Sequence, residues 1–177
     1  DATRAYEASD HGRALELTEG FFWTFCDDYL ELVKERAYDR SDVGQASAAF
    51  ALRTALSTLL RLLAPVLAFA TEEAWSWFEE GSVHTASWPE PGGAEGDPAV
   101  LVAVGEALIG IRRAKTEAKA SQKTSVARAV IAAPGATIER LRLAEGDLKA
   151  VGRIALIEYV ESDQVAVRDI ELDPAEV

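Results

Sequence analysis

Side chains that could bind phosphate groups are concentrated in one segment of an otherwise acidic chain. The 177 residues include 18 Lys and Arg against 30 Asp and Glu, which gives a net charge of −12. Such a balance argues against a general nucleic-acid binder. Residues 112–128 depart from this acidic balance, because Glu117 is their only acidic residue. Their positive charge could serve phosphate binding, and the alternative interpretation is a solvated helix end. Their basic residues are Arg112, Arg113, Lys115, Lys119, Lys123 and Arg128.

A second group of candidate RNA contacts lies earlier in the chain. Lys34, Arg36 and Arg40 cluster at the end of a predicted helix, and Trp88 offers an aromatic face. Single-stranded RNA loops are bound by aromatic stacking and by cationic contacts to the backbone. Trp88 could equally anchor a packed loop beside Pro89. These residues alone leave two hypotheses open, namely an RNA-binding helical module and an acidic bundle for protein–protein contacts.

The sequence lacks the patterns that are typical of catalytic, metal or cofactor sites. No glycine-rich phosphate loop follows a predicted strand. Cys26 is the single cysteine, which excludes an internal disulfide, and its place on an apolar stripe indicates a core residue. His11 and His84 are far apart and have no evident metal-binding companions. We therefore expect no catalytic residue, no metal site and no cofactor in this chain.

Helical periodicity dominates the first two thirds of the sequence. Asp10 and the pair Asp97-Pro98 provide helix start signals. Short connections between amphipathic helices predict an antiparallel four-helix bundle. The predicted helices cover about residues 10–37, 45–64, 71–81 and 97–120.

Two details of these helices are specific enough to test. In the second helix the apolar stripe places Leu56 in the core, so that Leu56→Asp would bury an unpaired carboxylate. In the third helix, Thr71 is placed to cap the N-terminus.

In the last third of the chain the spacing of apolar residues no longer follows a helical period. This change predicts a small α+β unit with about three strands. Its first strand, over 126–133, is rich in β-branched and small residues. Two short helices would follow, the first ended by Gly146 and the second capped by Asp147. Strands at 155–161 and 164–170 would form a hairpin. The predicted fold is mainly α, with a helical-bundle domain over 1–121 and an α+β unit over 122–177.

The sequence also indicates whether the chain is associated with a membrane, secreted, or part of a longer protein. No stretch approaches the roughly 18–20 consecutive apolar residues of a membrane span, and the N-terminus lacks a signal pattern. We therefore expect no membrane partner and no secretion. The sequence contains no methionine and begins with Asp1, as expected of a fragment of a longer protein.

Four motifs resemble one protein family when they are read together. The pattern Cys-Asp-x-Tyr-x-Glu-x-x-Lys within residues 22–38 resembles the first bundle helix of valyl-tRNA synthetases. Residues 59–75, with Thr-Glu-Glu-Ala-Trp, are similar to a helix junction of the class I anticodon-binding domain. Ala-Ser-Trp-Pro at 86–89 and Ile-Arg-Arg-Ala-Lys-Thr-Glu at 111–117 resemble the loop and fourth-helix motifs of the family. Their order and spacing together indicate the family, and the Cys-Asp-x-Tyr-x-Glu-x-x-Lys run of residues 26–34 resembles the valyl form more than the isoleucyl form, which is the alternative.

The resemblance implies a function for the fragment and another for its parent. The fragment would bind the anticodon stem-loop of valine tRNA without catalysis of its own. The parent would be a cytoplasmic, monomeric valine–tRNA ligase that uses ATP and Mg²⁺ and edits mischarged tRNA. Its catalytic and editing domains, on the same parent chain, would be further partners. The expected RNA-binding residues are Lys34, Arg36, Arg40, Trp88, Arg112, Arg113, Lys115, Lys119 and Lys123.

Overall fold

A computed structural model describes residues 1–41, 43–92 and 96–173. Contacts between residues divide the chain into two compact units. The first unit contains Asp1–Leu30 and Arg36–Ala94, and the second contains Glu31–Glu35 and Glu95–Val177. The domain boundary near residue 121 stays a prediction. It rests on a change in the period of the hydrophobic pattern along the sequence, whereas the two units are defined by contacts between residues.

The first unit is helical, and the helical segment that begins at His11 is interrupted by a local change of winding. Asp10 caps α2 as predicted, since its carboxylate accepts a hydrogen bond from the Arg13 amide at 3.0 Å. A π-helical segment, Phe25–Leu30, then leads into α3. The helices of this part of the chain are α1 (Ala2–Glu7), α2 (His11–Thr24), α3 (Glu31–Tyr38), α4 (Gln45–Leu63) and α5 (Ala68–Ser76), and a short 3₁₀ turn covers Val83–Thr85. The first five residues of α3, Glu31–Glu35, belong to the second unit.

The core of the first unit forms where α4 and α5 meet the 3₁₀ turn. Leu60, Ala64, Trp75 and Val83 are buried together. The predicted start of α5 at Thr71 is wrong, because the helix begins one turn earlier. The Thr71 hydroxyl is buried inside it and donates to the Leu67 carbonyl at 3.0 Å.

The predicted burial of Leu56 is also wrong. Its side chain is 44% exposed, whereas Ala48, Leu59 and Leu60 of the same helix are buried. Apolar residues occur on more than one face of α4, so its periodicity alone did not identify the face that packs. We now expect Leu56→Asp to lower the free energy of unfolding by less than about 1 kcal/mol. Leu59→Asp is the matched control, and an equal loss in thermal melts of the two variants would contradict this placement.

Among the described residues, α4 is the one helix that meets the length and hydropathy criteria of a membrane span, with a mean hydropathy of 1.3. A single helix of this kind is weak evidence, because core helices of soluble proteins meet the same criteria. The absence of a membrane partner stays a prediction.

The second unit packs a long helix and two short ones against a small sheet. The long helix begins close to the predicted start signal, but Pro98 rather than Asp97 is at the N-cap position. The Asp97 carboxylate, one residue earlier, accepts from the Ala99 amide at 2.9 Å. Val104, Leu108 and Ile111 of this helix are buried. The elements are α6 (Ala99–Glu117), β1 (Val126–Ala133), α7 (Gly135–Leu143), α8 (Glu145–Gly152), β2 (Ile154–Glu161) and β3 (Ala166–Leu172).

Within the described residues the three strands form one sheet in the order β2-β1-β3. β1 runs parallel to β2 and antiparallel to β3, with Ala129 opposite Ile157 on one side and Ile170 on the other. The predicted hairpin of β2 with β3 is therefore wrong. β1 is buried from Ala129 to Ala133, and such a continuous apolar run is typical of a strand that is covered on both faces. The predicted class, mainly α with a small α+β unit, is confirmed.

Close packing of α6 on β3 depends on a glycine. A Cβ atom on Gly110 would lie 2.7 Å from Cγ2 of Val167, whereas one on Gly105 would meet nothing within 4 Å. Both substitutions gain the same helix propensity, so their difference isolates the steric clash. We expect Gly110→Ala to be less stable than Gly105→Ala by about 1–3 kcal/mol in urea unfolding. Equal midpoints would show that the interface relaxes freely.

Candidate nucleic-acid interface

Basic side chains from separate parts of the sequence line one cavity of the second unit. The cavity, of about 230 Å³, is bounded by the start of α3, the end of α6, residues 122–123 and the end of α8. We call it the basic cavity. It is lined by two carboxylates, Glu31 and Glu35, and by five cationic residues, Lys34, Arg112, Lys115, Lys123 and Arg153.

Arg112 and Lys115 both line the basic cavity from α6, but they lie on different faces of that helix. Lys115 lies four residues after Ile111 on the buried stripe of α6, and Arg112 points to the solvent-exposed side. Among the described residues, neither Arg112 nor Lys123 has a carboxylate within ion-pair distance. Their charges are therefore available to a ligand.

The expectation that Lys115 is an exposed phosphate contact is not supported by its position. Its side chain is 1% exposed. The Nζ atom donates to the carbonyl oxygen of Gly152 at 2.9 Å and to that of Gln122 at 3.2 Å. Lys115 thus connects α6 to two backbone segments inside the unit, and burial removes it from the surface that RNA could reach.

Arg153 is a residue of this cavity that sequence reasoning missed. It follows α8 with a left-handed φ of 53°, and one of its terminal nitrogens donates to the Lys123 carbonyl at 3.0 Å. It lies outside the basic segment 112–128, so charge clustering along the sequence did not reveal it. The available signal was a basic residue at the predicted end of a helix, directly before a strand.

Lys34 lines the same cavity from α3. Its Nζ atom lies 2.5 Å from a carboxylate oxygen of Glu31, one turn earlier, in a half-exposed ion pair. The predicted residues Arg36 and Arg40 belong to the first unit, where Arg36 is half-buried and Arg40 is exposed. The structure therefore brings Lys34 together with Arg112, Lys115 and Lys123.

Trp88 packs within the first unit. Its indole nitrogen donates to the Thr3 hydroxyl at 3.0 Å, and its ring meets Tyr6 edge-on with the centroids 5.4 Å apart. These contacts agree with the loop-anchor alternative. Stacking of Trp88 on an RNA base stays a prediction.

The other basic residues of the segment differ in their partners. Arg113 forms an exposed ion pair with Glu117 at 2.9 Å, and Lys119 is exposed after the end of α6 with a φ of 55°. Arg128 lies on β1, where its guanidinium bonds Glu158 at 2.7 Å and 2.9 Å and Glu171 at 3.2 Å. This arrangement lowers the pKa of the Glu158 carboxyl below its usual value. Arg128 is thus engaged within the sheet.

Comparison with known proteins identifies the family. The profile of the anticodon-binding domain of tRNA ligases matches residues 1–131. The chain belongs to this family. The valine–tRNA ligase of Leifsonia xyli subsp. xyli (strain CTCB07) is 56% identical over 179 residues, which cover 99% of the chain and 21% of that relative. The valine–tRNA ligase of Thermobifida fusca (strain YX) is 50% identical over 182 residues, which cover 99% of the chain and 20% of that relative.

These comparisons confirm the resemblance that the motifs indicated. They also set its extent, because this anticodon-binding domain spans about a fifth of the length of the curated relatives it matches.

The described part of the domain shows no assembled metal or thiol chemistry. No three His, Cys, Asp or Glu side chains of the described residues are grouped as metal ligands would be. Burial and the neighbouring charge of Asp27 raise the pKa of the Cys26 thiol, which is the opposite of nucleophile activation. We assign no catalytic step to these residues.

Proposed function

We propose that this domain binds the anticodon stem-loop of valine tRNA as part of a valine–tRNA ligase. The observation that carries the proposal is the 56% identity to a valine–tRNA ligase across 99% of the chain, together with the match to the anticodon-binding family. This identity favours valine over isoleucine, and it favours RNA binding over a bundle devoted to protein contacts.

Exposed cations are the groups we propose for contact with RNA phosphates. With a net charge of −12, the chain can hold a polyanion only where positive side chains cluster. In the second unit these are Lys34, Arg112, Arg113, Lys119 and Lys123. In the first unit we propose Arg36 and Arg40 as anticodon-loop contacts, and Trp88 as a stacking face. Lys115 is left out of the contact surface because it is buried.

The activity we propose for the parent protein lies outside these residues. A valine–tRNA ligase would activate valine with ATP and Mg²⁺, transfer it to tRNA, and edit mischarged tRNA. We propose a cytoplasmic, monomeric parent whose catalytic and editing domains are covalent partners of this one.

The chain alone should therefore be inactive in amino-acid activation. We expect no valine-dependent ATP–pyrophosphate exchange above a blank without protein. Exchange that co-purified with the folded chain through two chromatographic steps would contradict the assignment of catalysis to the rest of the parent.

Discrimination between tRNAs tests the proposed function. The chain should bind an unmodified valine tRNA transcript more tightly than an isoleucine tRNA transcript in the same buffer and salt. Tighter binding of the isoleucine transcript would favour the isoleucyl alternative. Absence of RNA binding at low salt would favour a role in protein contacts.

A further inference from the structure

We propose that the basic cavity is a phosphate site for one phosphodiester group of the RNA backbone, with Arg112, Lys123 and Arg153 as its donors. The inference rests on the proposed function only for the source of the phosphodiester. It goes beyond that function because it assigns a particular site, includes a residue outside the family match at 1–131, and gives a buried lysine a positioning role.

The charge of the cavity is the first support. Five cationic residues and two carboxylates line it, in a chain whose net charge is strongly negative. Lys34 and Glu31 offset one another in an ion pair at 2.5 Å, which leaves four cationic residues against one carboxylate. A phosphodiester carries a single negative charge and would meet a positive environment here.

The buried lysine is the second support, because it fixes the backbone beside both outer cations. The two carbonyl groups that accept from Lys115 belong to Gln122 and Gly152. These residues directly precede Lys123 and Arg153. Lys115 therefore acts as a positioning residue that holds the two donor-bearing segments in place before a ligand arrives, which lowers the entropic cost of binding.

The conformation of Arg153 is the third support. A left-handed residue directly after a helix is usually glycine, because other residues are strained there. Arg153 adopts φ 53° and one of its terminal nitrogens donates to the Lys123 carbonyl, so the side chain is held along the cavity wall. A guanidinium has five N–H donors, and the remaining ones suit the oxygens of a phosphate.

The size of the cavity limits the class of ligand. At about 230 Å³ it is smaller than the ~300–1,000 Å³ of sites that enclose a small molecule. A single anionic group on the surface of a larger molecule fits this volume better than a free nucleotide does. An RNA backbone presents such groups.

The salt dependence of tRNA binding tests the proposal. The double variant Arg112→Gln/Lys123→Gln keeps two long side chains, and Arg153→Gly suits the left-handed backbone, so both should remain folded by circular dichroism. Because the site holds one phosphodiester, a variant that no longer neutralises it should flatten the slope of log affinity against log salt by roughly 0.7–0.9. The matched control is Arg142→Gln/Arg168→Gln, which removes two exposed cations of the same unit away from the cavity. Its slope should equal that of the wild type.

A titration with inorganic phosphate separates failure of the site from failure of the proposed function. Phosphate should shift the backbone amide resonances of Lys123 and Arg153 in the wild type, and Arg153→Gly should weaken the response at Lys123. If valine tRNA does not bind but phosphate gives these shifts, the anion site stands and the proposed function fails. If tRNA binds and the cavity variants have wild-type slopes, the site is overturned. The absence of both tRNA binding and phosphate shifts would overturn both proposals.

Discussion

Lys115→Met is expected to lower the free energy of unfolding by about 2–4 kcal/mol. Methionine keeps the apolar stem and a similar helix propensity, so the change isolates the ammonium group. Its loss leaves the buried Gly152 carbonyl and the part-buried Gln122 carbonyl without the lysine donor, and an unsatisfied buried group costs about 1–3 kcal/mol. Urea unfolding followed by far-ultraviolet circular dichroism measures the change.

Arg113→Met is the matched control for Lys115→Met. Arg113 lies on the same helix but is exposed, and its ion pair with Glu117 should contribute little, so we expect a change within about 0.5 kcal/mol. Wild-type stability of Lys115→Met would show that these carbonyls find other donors. Because the loss of the Lys115 ammonium is expected to lower stability, a variant that substitutes Arg112, Arg113 and Lys115 together could not separate weaker RNA binding from lower stability.

In the first unit, Trp75→Ala is expected to lower the free energy of unfolding by about 3–5 kcal/mol. Trp75 is 7% exposed and packs in the cluster with Leu60, Ala64 and Val83. Truncation of a buried tryptophan removes apolar contacts and leaves a cavity that the surrounding helices fill only in part. Thermal melting of the variant should show a lower midpoint than that of the wild type.

Trp77 provides the control in the same part of the chain. It is 75% exposed, and its indole nitrogen bonds the Glu73 carboxylate at 3.2 Å. Trp77→Ala should therefore change stability by no more than about 0.5 kcal/mol. Similar losses for the two variants would contradict the assignment of the core to Trp75.

Local signals in the sequence predicted the elements that depend on neighbouring residues. Asp10 caps its helix as expected, because a capping carboxylate acts within three residues of its own position. β1 covers Val126–Ala133, the range that its β-branched composition predicted.

Features that depend on distant parts of the chain could not be predicted in the same way. The pairing of β2 with β1 crosses two helices, so a turn signal between β2 and β3 indicated a hairpin that does not form. Lys115 continues an apolar stripe, but its buried acceptors come from Gln122 and Gly152, and Gly152 lies 37 residues away. Sequence spacing carries no information about such partners.

The candidate site was predicted in part for the same reason. Arg112, Lys115 and Lys123 are close in sequence, so their clustering was visible as charge. Arg153 joins them only because α8 ends beside the residues that follow α6. Arg128 was counted with the cluster, but the alternating directions of side chains on a strand turn it towards Glu158 and Glu171.

The anticodon dependence of tRNA binding tests the central claim most directly. The chain would be titrated with a valine tRNA transcript and with the same transcript carrying replaced anticodon bases, at one salt concentration. We predict that replacement weakens binding by roughly 5- to 150-fold, because loss of one stacked or hydrogen-bonded base costs about 1–3 kcal/mol. Equal affinity for the two transcripts would contradict the claim that this domain reads the anticodon of valine tRNA.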